Sequence, residues 1–190
     1  ARPGGRPMTP PPTRRALLLG AFGLVATPAA LSLARDLSAR TPPELLPPEQ
    51  RADRIEVRKA DRLLLLFRGE KELARYEVAL GFAPEGHKTR EGDGKTPEGR
   101  YRIDRKNPNS SYHLSLGLDY PRAADRDAAK RAGVSPGGDI FIHGLPNGWS
   151  GIGSAHRLRD WTAGCVAVTN AEIEEIWTRV AVGAPIDLLP

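Results

Sequence analysis

Residues 55–80 read IEVRKADRLLLLFRGEKELARYEVAL, and this stretch determines the fold class that we expect. It holds three short apolar or alternating runs, Ile55–Val57, Leu63–Phe67 and Leu73–Leu80. Charged segments with turn chemistry separate the runs, and the second of these segments contains Gly69. Runs of this length predict β-strands, and the alternation in the third run is typical of a strand with one buried face. The stretch therefore predicts an N-terminal antiparallel meander.

The signals further along the chain extend this prediction. More short strands are expected at Gly99–Asp104, Tyr112–Leu118, Asp139–His143 and Pro185–Leu189. A short polar helix is expected over residues 125–132, and a second helix after Thr169, which forms a capping-box pattern with Glu172. Behind this cap, apolar residues recur at helical spacing: Ile173, Ile176, Trp177 and Val180. About seven strands with one or two short helices predict a mainly β sandwich or barrel.

The composition excludes several classes of protein. The chain of 190 residues has one cysteine, which rules out an internal disulfide framework, a four-cysteine zinc ribbon and an iron–sulfur cluster carried by this chain alone. Its 28 basic and 23 acidic residues are unevenly placed, because six arginines stand against three acidic residues in the first 50 positions and the rest is nearly balanced. A nucleic-acid-binding domain is expected to concentrate basic charge on one face. We therefore expect no nucleic-acid partner.

The N-terminal segment has the pattern of an export signal followed by a linker. Arg14 and Arg15 precede an apolar run without charge until Arg35, the layout of a secretory signal or an N-terminal membrane anchor. The paired arginines also resemble a loose twin-arginine export signal. Residues 35–52 contain two Pro-Pro pairs and predict a stiff polar linker. We therefore expect a signal or anchor helix at 1–34, a linker at 35–52 and one periplasmic or cell-envelope domain at 53–190.

Two segments carry residue types suited to covalent chemistry. Residues 138–144 read GDIFIHG, a predicted strand that ends in His143, and residues 160–170 read DWTAGCVAVTN, in which Gly164 precedes Cys165. A thiol needs a base to become a nucleophile, and histidine is the usual partner because it titrates near neutral pH. Small residues before the cysteine let backbone N–H groups approach a developing oxyanion. The residue types alone leave an inert small cysteine and a structural histidine open.

These segments resemble a known family. The HG at 143–144 and the TAGC at 162–165 are similar to the histidine-glycine and Ser/Thr-x-Gly-Cys motifs of the YkuD-type L,D-transpeptidase catalytic domain. Upstream, GDGKTPEGRY at 92–101 resembles the family's Thr-Pro-x-Gly turn, and residues 107–116 resemble the strand that follows it. The resemblance runs from Gly81 to the C-terminus and implies an L,D-transpeptidase-like β-sandwich or barrel.

The resemblance also implies roles for single residues. Cys165 would be the nucleophile, His143 would activate it, and the carbonyl of Gly144 would orient the imidazole. Backbone N–H groups of Gly164 and Cys165 would stabilise the oxyanion. The implied substrate is the peptidoglycan stem peptide: the thiol attacks the carbonyl of the third residue, diaminopimelate, and releases the terminal D-alanine. The acyl group then passes to an amine of a neighbouring stem as a 3–3 cross-link, without metal or organic cofactor.

Departures from the common pattern leave the acyl acceptor open. Ala167 and Ala163 stand where the family often carries basic or polar residues, and the segment between the two motifs is longer than in the shortest members. These features resemble the YafK-like branch, some of whose members hydrolyse a bond at diaminopimelate. One alternative is therefore an amidase or carboxypeptidase that uses water, acting on bonds that include a lipoprotein–peptidoglycan link. A second alternative is a cell-wall-binding module without activity.

Four further residues are expected to contact the substrate: His156, Thr162, Arg157 and Trp161. For His156, pinning of a polar loop is an equally good explanation. A zinc site built from His143, His156 and Cys165 has suitable ligand types, but no metal-binding spacing supports it. We therefore expect no metal. The partners that we expect are peptidoglycan stem peptides, with a membrane anchor and an outer-membrane lipoprotein left open, and the chain is expected to be a monomer.

Overall fold

The computed structural model describes residues 41–190. Eight strands form one sheet in this part of the chain: β1 (Arg54–Arg58), β2 (Leu63–Arg68), β3 (Lys71–Glu77), β4 (Gly99–Ser110), β5 (His113–Leu118), β6 (Phe141–His143), β7 (Val166–Ala167) and β8 (Pro185–Leu189). The described residues also form two α-helices, α1 (Ala123–Arg131) and α2 (Asn170–Arg179). The same part of the chain contains two 3-10 helical segments, Pro48–Gln50 and Ser150–Leu158.

The strands lie in the order β3-β2-β1-β8-β4-β5-β6-β7. The pairs β1–β2 and β2–β3 are antiparallel, as expected of strands joined by tight turns. The C-terminal strand β8 is inserted parallel to β1 and antiparallel to β4. Strands β4, β5 and β6 continue antiparallel, and β7 lies parallel to β6. The sheet is therefore mixed, and its last pair is the one that carries the two sequence motifs.

The two ends of this sheet meet. Residues just after β3 form an antiparallel bridge between Ala79 and Ala167 and a parallel bridge between Gly81 and Thr162. Backbone hydrogen bonds join Ala79 to Ala167 in both directions, at 3.0 and 2.8 Å. Because unpaired strand edges expose backbone N–H and C=O groups, this closure satisfies the outer edge of β7. This seam, formed by the Ala79–Ala167 and Gly81–Thr162 bridges, runs directly beside the Thr162–Cys165 segment.

Helix α2 packs on the sheet through one apolar face. Thr169 is its N-cap: its backbone N–H donates to Glu172 Oε2 at 2.8 Å, which is half of the predicted capping box. All four predicted face residues are buried: Ile173, Ile176, Trp177 and Val180. Full burial of such side chains contributes about 1.5–3 kcal/mol each. The helix is thus fixed against the core, and its N-terminus lies beside the end of β6.

Most predicted elements are confirmed, with corrections in their bounds and in the fold class. The strands predicted over 55–80 are present, although β3 ends at Glu77, and β8 has the predicted bounds. Strand β4 extends six residues beyond its predicted end, to Ser110, through two bulges in its pairing with β5. The two-residue strand β7 and the 3-10 segment Ser150–Leu158 were not predicted. The domain is mixed α/β, with one eight-stranded mixed sheet, rather than mainly β.

The predicted signal or anchor helix at 1–34 lies outside the described residues, as do positions 35–40 of the predicted linker. Within residues 41–190, no helix is long and apolar enough to cross a membrane. Residues 46–52 run along the C-terminal end of α2. There the N–H of Leu46 donates to the carbonyl of Thr178 at 2.9 Å and that of Ala52 to the carbonyl of Arg179 at 2.8 Å.

Candidate active site

The pairing of β6 with β7 brings the two motifs together. His143 is the register partner of Ala167, so Cys165, two residues earlier, stands opposite Phe141. Side chains two positions apart on a strand share a face, which puts Cys165 and His143 on the same face of the sheet. With strands about 4.8 Å apart and a rise of about 3.3 Å per residue, their Cα atoms are roughly 8 Å apart. This is a spacing across which the thiol and imidazole can approach each other.

The His143 imidazole is buried and held in one orientation. Its side chain lies at 2.7 Å from the Gly144 carbonyl through Nδ1, and since a carbonyl only accepts, Nδ1 carries the proton. The neutral ring therefore keeps Nε2 as an acceptor. Burial lowers the pKa of His143 to about 4, although the hydrogen bond to Gly144 opposes this. At neutral pH the ring is thus a neutral base with a free lone pair on Nε2.

Gly144 is held where a side chain does not fit. A Cβ at this position would lie 2.7 Å from Asn170 Oδ1 and 3.0 Å from Ile173 Cγ2. The same Asn170 oxygen accepts from the backbone N–H of Leu145 at 2.8 Å. The first turn of α2 therefore packs directly on the residue whose carbonyl orients His143.

The Cys165 thiol is partly exposed, and its Sγ lies 3.5 Å from the carbonyl of Asp139. Burial raises the pKa of Cys165 above its ordinary value, and a hydrogen bond from the Phe141 backbone opposes this shift. The resting thiol is therefore protonated at neutral pH. Together with a neutral His143, this gives an uncharged thiol–imidazole pair rather than a thiolate–imidazolium ion pair.

The segment before the thiol is a tight turn closed by Thr162. The Thr162 hydroxyl donates to the Cys165 carbonyl at 2.8 Å and accepts from the Gly164 N–H at 3.1 Å. Gly164 has φ +137, and a Cβ there would lie 2.6 Å from the carbonyl oxygen of Lys95. Both the hydroxyl of Thr162 and the N–H of Gly164 are consumed inside the turn. Of the two expected oxyanion donors, the N–H of Gly164 already donates to Thr162 Oγ1 inside the turn.

Both motif side chains line one cavity of about 530 Å³. Two aromatic rings pack near His143 there: Tyr112 at 4.5 Å and Trp161 at 5.8 Å between ring centroids. Among the residues expected to contact the substrate, Thr162 and Trp161 line this cavity, whereas His156 and Arg157 are not part of its wall. The Tyr112 and Trp161 rings are themselves stacked, at 6.3 Å between centroids, so they pack together next to the imidazole rather than on opposite sides of it. The cavity can therefore receive an extended peptide beside the thiol and this aromatic pair.

The other two predicted substrate residues lie elsewhere. Both Nη2–Oε distances from Arg157 to Glu172 are 2.5 Å, and its Nη1 lies 3.3 Å from Glu77, so its charge is used inside the protein. His156 is buried on the far side of Trp161, whose indole N–H donates to His156 Nδ1 at 3.4 Å. Arg157 thus fastens the 3-10 segment to α2, and His156 contacts Trp161 instead of the thiol.

Sequence analysis identified residues 92–101 as a family-like turn but did not predict that this loop packs against the turn before Cys165. The Asp93 carboxylate accepts from Lys88 Nζ at 2.8 Å and from the backbone N–H groups of Thr89, Arg90 and Lys95 at 2.8, 3.0 and 3.1 Å. Burial alone raises the pKa of Asp93, but these hydrogen bonds outweigh it and hold the pKa at about 2. The Lys95 carbonyl, fixed by this loop, is the atom that forces glycine at 164.

Tyr112 was also missed as a site residue, because nothing in its local sequence indicates that it contacts His143. It stands in the tight turn between β4 and β5, where its N–H donates to Ser110 Oγ at 3.0 Å. The next residue, His113, has φ +65 and is tied to α2 through a 2.7 Å contact between its Nε2 and Glu174 Oε1. Only the three-dimensional pairing of β5 with β6 reveals this contact.

Comparison with known proteins gives a consistent result. The "Putative L,D-transpeptidase YafK" of Escherichia coli (strain K12) is 32% identical over 133 residues, covering 66% of this chain and 46% of that protein. The helical cell shape determining protein Pgp2 of Campylobacter jejuni superposes with a TM-score of 0.55 at 25% identity, over 84% of this chain and 54% of the other. The chain therefore spans about half the length of these relatives.

The family model for the YkuD L,D-transpeptidase catalytic domain matches residues 52–188. Its bounds contain all eight strands except the last residue of β8, and they contain both motifs. The match agrees with the predicted resemblance and extends it N-terminally from Gly81 to the start of the sheet. Because it spans more than two thirds of the sequence, the protein belongs to the YkuD family of L,D-transpeptidase catalytic domains.

Proposed function

We propose that this protein is a peptidoglycan L,D-transpeptidase, with Cys165 as the nucleophile and His143 as its base. The observation that carries the proposal is that His143 at the end of β6 and Cys165 just before β7 line one cavity, with the imidazole oriented by the Gly144 carbonyl at 2.7 Å. A backbone carbonyl thus takes the orienting role that an acidic side chain has in many triads. Family membership supplies the peptidoglycan substrate.

The reaction starts from an uncharged pair. The thiol is protonated and His143, with a pKa of about 4, is neutral, so attack requires transfer of the thiol proton to His143 Nε2. In the free enzyme Sγ faces the Asp139 carbonyl at 3.5 Å, and substrate binding turns the thiol from this carbonyl to Nε2. A neutral base with a fixed tautomer is ready to accept this proton without a prior ionisation step.

The acyl transfer then proceeds in two halves. Sγ bonds to the diaminopimelate carbonyl carbon, and its proton passes to His143 Nε2 as the tetrahedral intermediate forms. Collapse breaks the bond to D-alanine, whose amine takes the proton from His143 and leaves a thioester on Cys165. The side-chain amine of a second stem attacks the thioester and gives up a proton to His143. The new amide then leaves as the 3–3 cross-link, and the proton returns to sulfur.

The oxyanion is stabilised by the backbone N–H of Cys165. The expected second donor, the N–H of Gly164, is already used by Thr162 Oγ1 at 3.1 Å. We therefore assign Gly164 and Thr162 to the shape of the turn that aims the Cys165 N–H and thiol. Trp161, with the Tyr112 ring stacked beside it at 6.3 Å between centroids, is proposed to contact the stem peptide.

The remaining expectations follow from this assignment. Arg157 is proposed to hold the 3-10 segment through Glu172 rather than to bind substrate, since its charge is already paired. A peptidoglycan substrate places the domain in the cell envelope. An export signal or anchor at 1–34, a linker at 35–52 and a catalytic domain at 53–190 remain the domain organisation that we propose.

The test uses the purified protein with a disaccharide-tetrapeptide, followed by mass spectrometry beside Cys165→Ala. A cross-linked dimer that lacks one D-alanine, formed by the wild type and not by the variant, supports the transpeptidase. A tripeptide product that depends on Cys165 would contradict cross-linking and assign water as the acceptor. Turnover that survives in Cys165→Ala, or no turnover by either protein, would refute thiol catalysis. Cys165→Ser is the matched control, because it keeps a similar volume and replaces only the sulfur.

A further inference from the structure

A second cavity, of about 540 Å³, adjoins the site and shares one wall with it. Trp161 lines both cavities, with the His143 ring on the thiol side and the His156 ring on the other. Leu145, Pro146 and Ile152 form apolar parts of the second cavity, and Trp149 completes it as a second indole. Nothing in the acyl-transfer mechanism uses this space. Its wall therefore calls for a separate explanation.

His156 is part of the wall of this cavity and holds a buried, unpaired hydrogen-bond donor. The indole N–H of Trp161 donates to His156 Nδ1, and since an indole only donates, Nδ1 is unprotonated. Burial, with the nearby charge of Arg157, lowers the pKa of His156, so the neutral ring carries its proton on Nε2. His156 is only 8% exposed, and its Nε2 has no hydrogen-bond partner within residues 41–190. Leaving such a buried donor without a partner is unfavourable, and an acceptor oxygen that reaches His156 Nε2 would relieve this.

Two other groups define the chemistry of the ligand. Trp149 is 59% exposed, which is unusual for so large an apolar side chain and leaves an indole face open at the rim. Arg159 also lines the cavity and forms no ion pair with any described residue, so its guanidinium is available to oxygen acceptors. A flat apolar surface with a few fixed donors suits a ring that has an apolar face and polar substituents at its edge.

We propose that this cavity binds an N-acetylated sugar ring of the peptidoglycan glycan strand. The apolar face of the sugar lies on Trp149, and its acetamido carbonyl accepts from His156 Nε2–H. Arg159 donates to the ring oxygens at the rim. The assignment rests on the proposed function insofar as the glycan belongs to the same polymer as the stem peptide.

The distances allow one substrate to occupy both cavities. Ring centroids are 5.8 Å apart from His143 to Trp161 and 6.4 Å from Trp161 to His156. The two imidazoles are therefore separated by at most about 12 Å. Three stem residues lie between the sugar and the reacting carbonyl, and an extended chain of that length spans roughly 10 Å. A sugar in the second cavity and a carbonyl at Cys165 can thus belong to the same stem.

A purely apolar ligand fits the cavity less well, because it would leave His156 Nε2–H without an acceptor. A peptide backbone offers a carbonyl to this donor, yet it has no flat apolar face that matches the open indole of Trp149. The sugar satisfies both groups at once. These two other ligand classes are therefore outcomes that the experiment below separates.

The experiment follows the indole N–H signals of ¹⁵N-labelled protein while N,N′-diacetylchitobiose is added. The signals of Trp149 and Trp161 are expected to shift and saturate at millimolar sugar, whereas that of the core residue Trp177 stays in place. Trp149→Ala is expected to weaken binding at least tenfold. The matched control is Phe82→Ala, since Phe82 is 58% exposed and lines neither cavity. Cellobiose, which has no acetamido group, is expected to bind several-fold more weakly.

No shift with up to 50 mM chitobiose, equal binding of cellobiose, or saturation by an apolar tetrapeptide alone would each overturn the proposal. A kinetic readout separates it from the acyl-transfer mechanism. Trp149→Ala is expected to raise KM about tenfold for a disaccharide-tetrapeptide and to leave KM for the free tetrapeptide unchanged. Sugar binding without any turnover refutes only the proposed reaction. Cross-linking without sugar binding refutes only the glycan subsite.

Discussion

Gly164→Ala tests whether the turn before the thiol depends on a close backbone approach. Its φ of +137 is strained for any residue with a side chain, at a cost of about 1–3 kcal/mol. The new Cβ would also lie 2.6 Å from the Lys95 carbonyl oxygen, a backbone atom that cannot rotate away. Overpacking of this kind adds about 1–3 kcal/mol. We therefore expect a total loss of about 2–6 kcal/mol in the free energy of unfolding.

The expected loss of activity is larger than the loss of stability suggests. To relieve the contact, the turn must move by several tenths of an ångström, and it carries both the thiol and the proposed oxyanion donor. Displacements approaching 1 Å at reacting groups cost about 100-fold in rate. We expect cross-linking by Gly164→Ala to fall by a factor of that order, even under conditions where the variant is fully folded.

Gly92→Ala is the matched control for this prediction. Gly92 has φ +75, but a Cβ there meets nothing within 4 Å, so this variant reports the backbone strain alone. Urea unfolding of both variants and of the wild type gives the two free energies, and the mass-spectrometric assay gives the rates. If Gly164→Ala is no less stable and no less active than Gly92→Ala, the contact with Lys95 does not position the thiol.

Three further predictions concern the groups around this turn. Asp93→Asn is expected to lower the free energy of unfolding by about 3–5 kcal/mol, because it leaves the ammonium of Lys88, which is only 3% exposed, without a charge partner. Asp127→Asn, on the exposed face of α1, should have almost no effect in the same urea titration. The pKa of about 4 for His143 makes the folded state bind a proton more weakly than the unfolded chain, so stability is full above pH 6.5 and is lost as pH falls toward 4. Between pH 7 and pH 5 the free energy of unfolding is expected to fall by about 2 kcal/mol, and His143→Gln should abolish this pH dependence. The kcat/KM of the wild type should stay constant down to pH 5. A decline in kcat/KM centred near pH 6.5 would contradict the lowered pKa. A chain that starts at residue 53 instead of 41 is expected to be about 2–3 kcal/mol less stable, because it loses the buried Ala52 and the two backbone hydrogen bonds to the end of α2. Equal urea midpoints for the two chains would show that residues 46–52 contribute nothing to stability.

The parts of the fold that local sequence predicts are those whose patterns are local. The continuous apolar run from Leu63 to Phe67 has the length of a strand, the face from Ile173 to Val180 repeats at helix spacing, and both elements are present as predicted. Strand β7 was missed because two residues are too short to show alternation, and its existence depends on two partners distant in sequence. The single mixed sheet could not be predicted either, because no local sequence pattern indicates that β8 inserts between β1 and β4.

The same distinction applies to the site. The residue types and the family resemblance predicted Cys165 and His143 as a pair, but they gave no information on which side of Trp161 each further residue would lie. Arg157 looked suited to a substrate carboxylate, yet Glu172 lies on the next helix and pairs with it instead. Such outcomes depend on which oppositely charged group is nearer after folding. A list of charged residues near a motif cannot decide that question.

The closure of the sheet explains how the site keeps its geometry without an acidic third residue. The segment that ends in Cys165 is held on one side by the seam, where Thr162 N–H donates to the Leu80 carbonyl at 3.0 Å and Phe82 N–H to the Thr162 carbonyl at 2.9 Å. On the other side, β6 pairs with β7 and fixes His143. Backbone contacts thus set both partners, so burial can keep the imidazole neutral without loosening it. An acidic orienter would instead raise the pKa of the imidazole and favour the ion pair, which this site avoids.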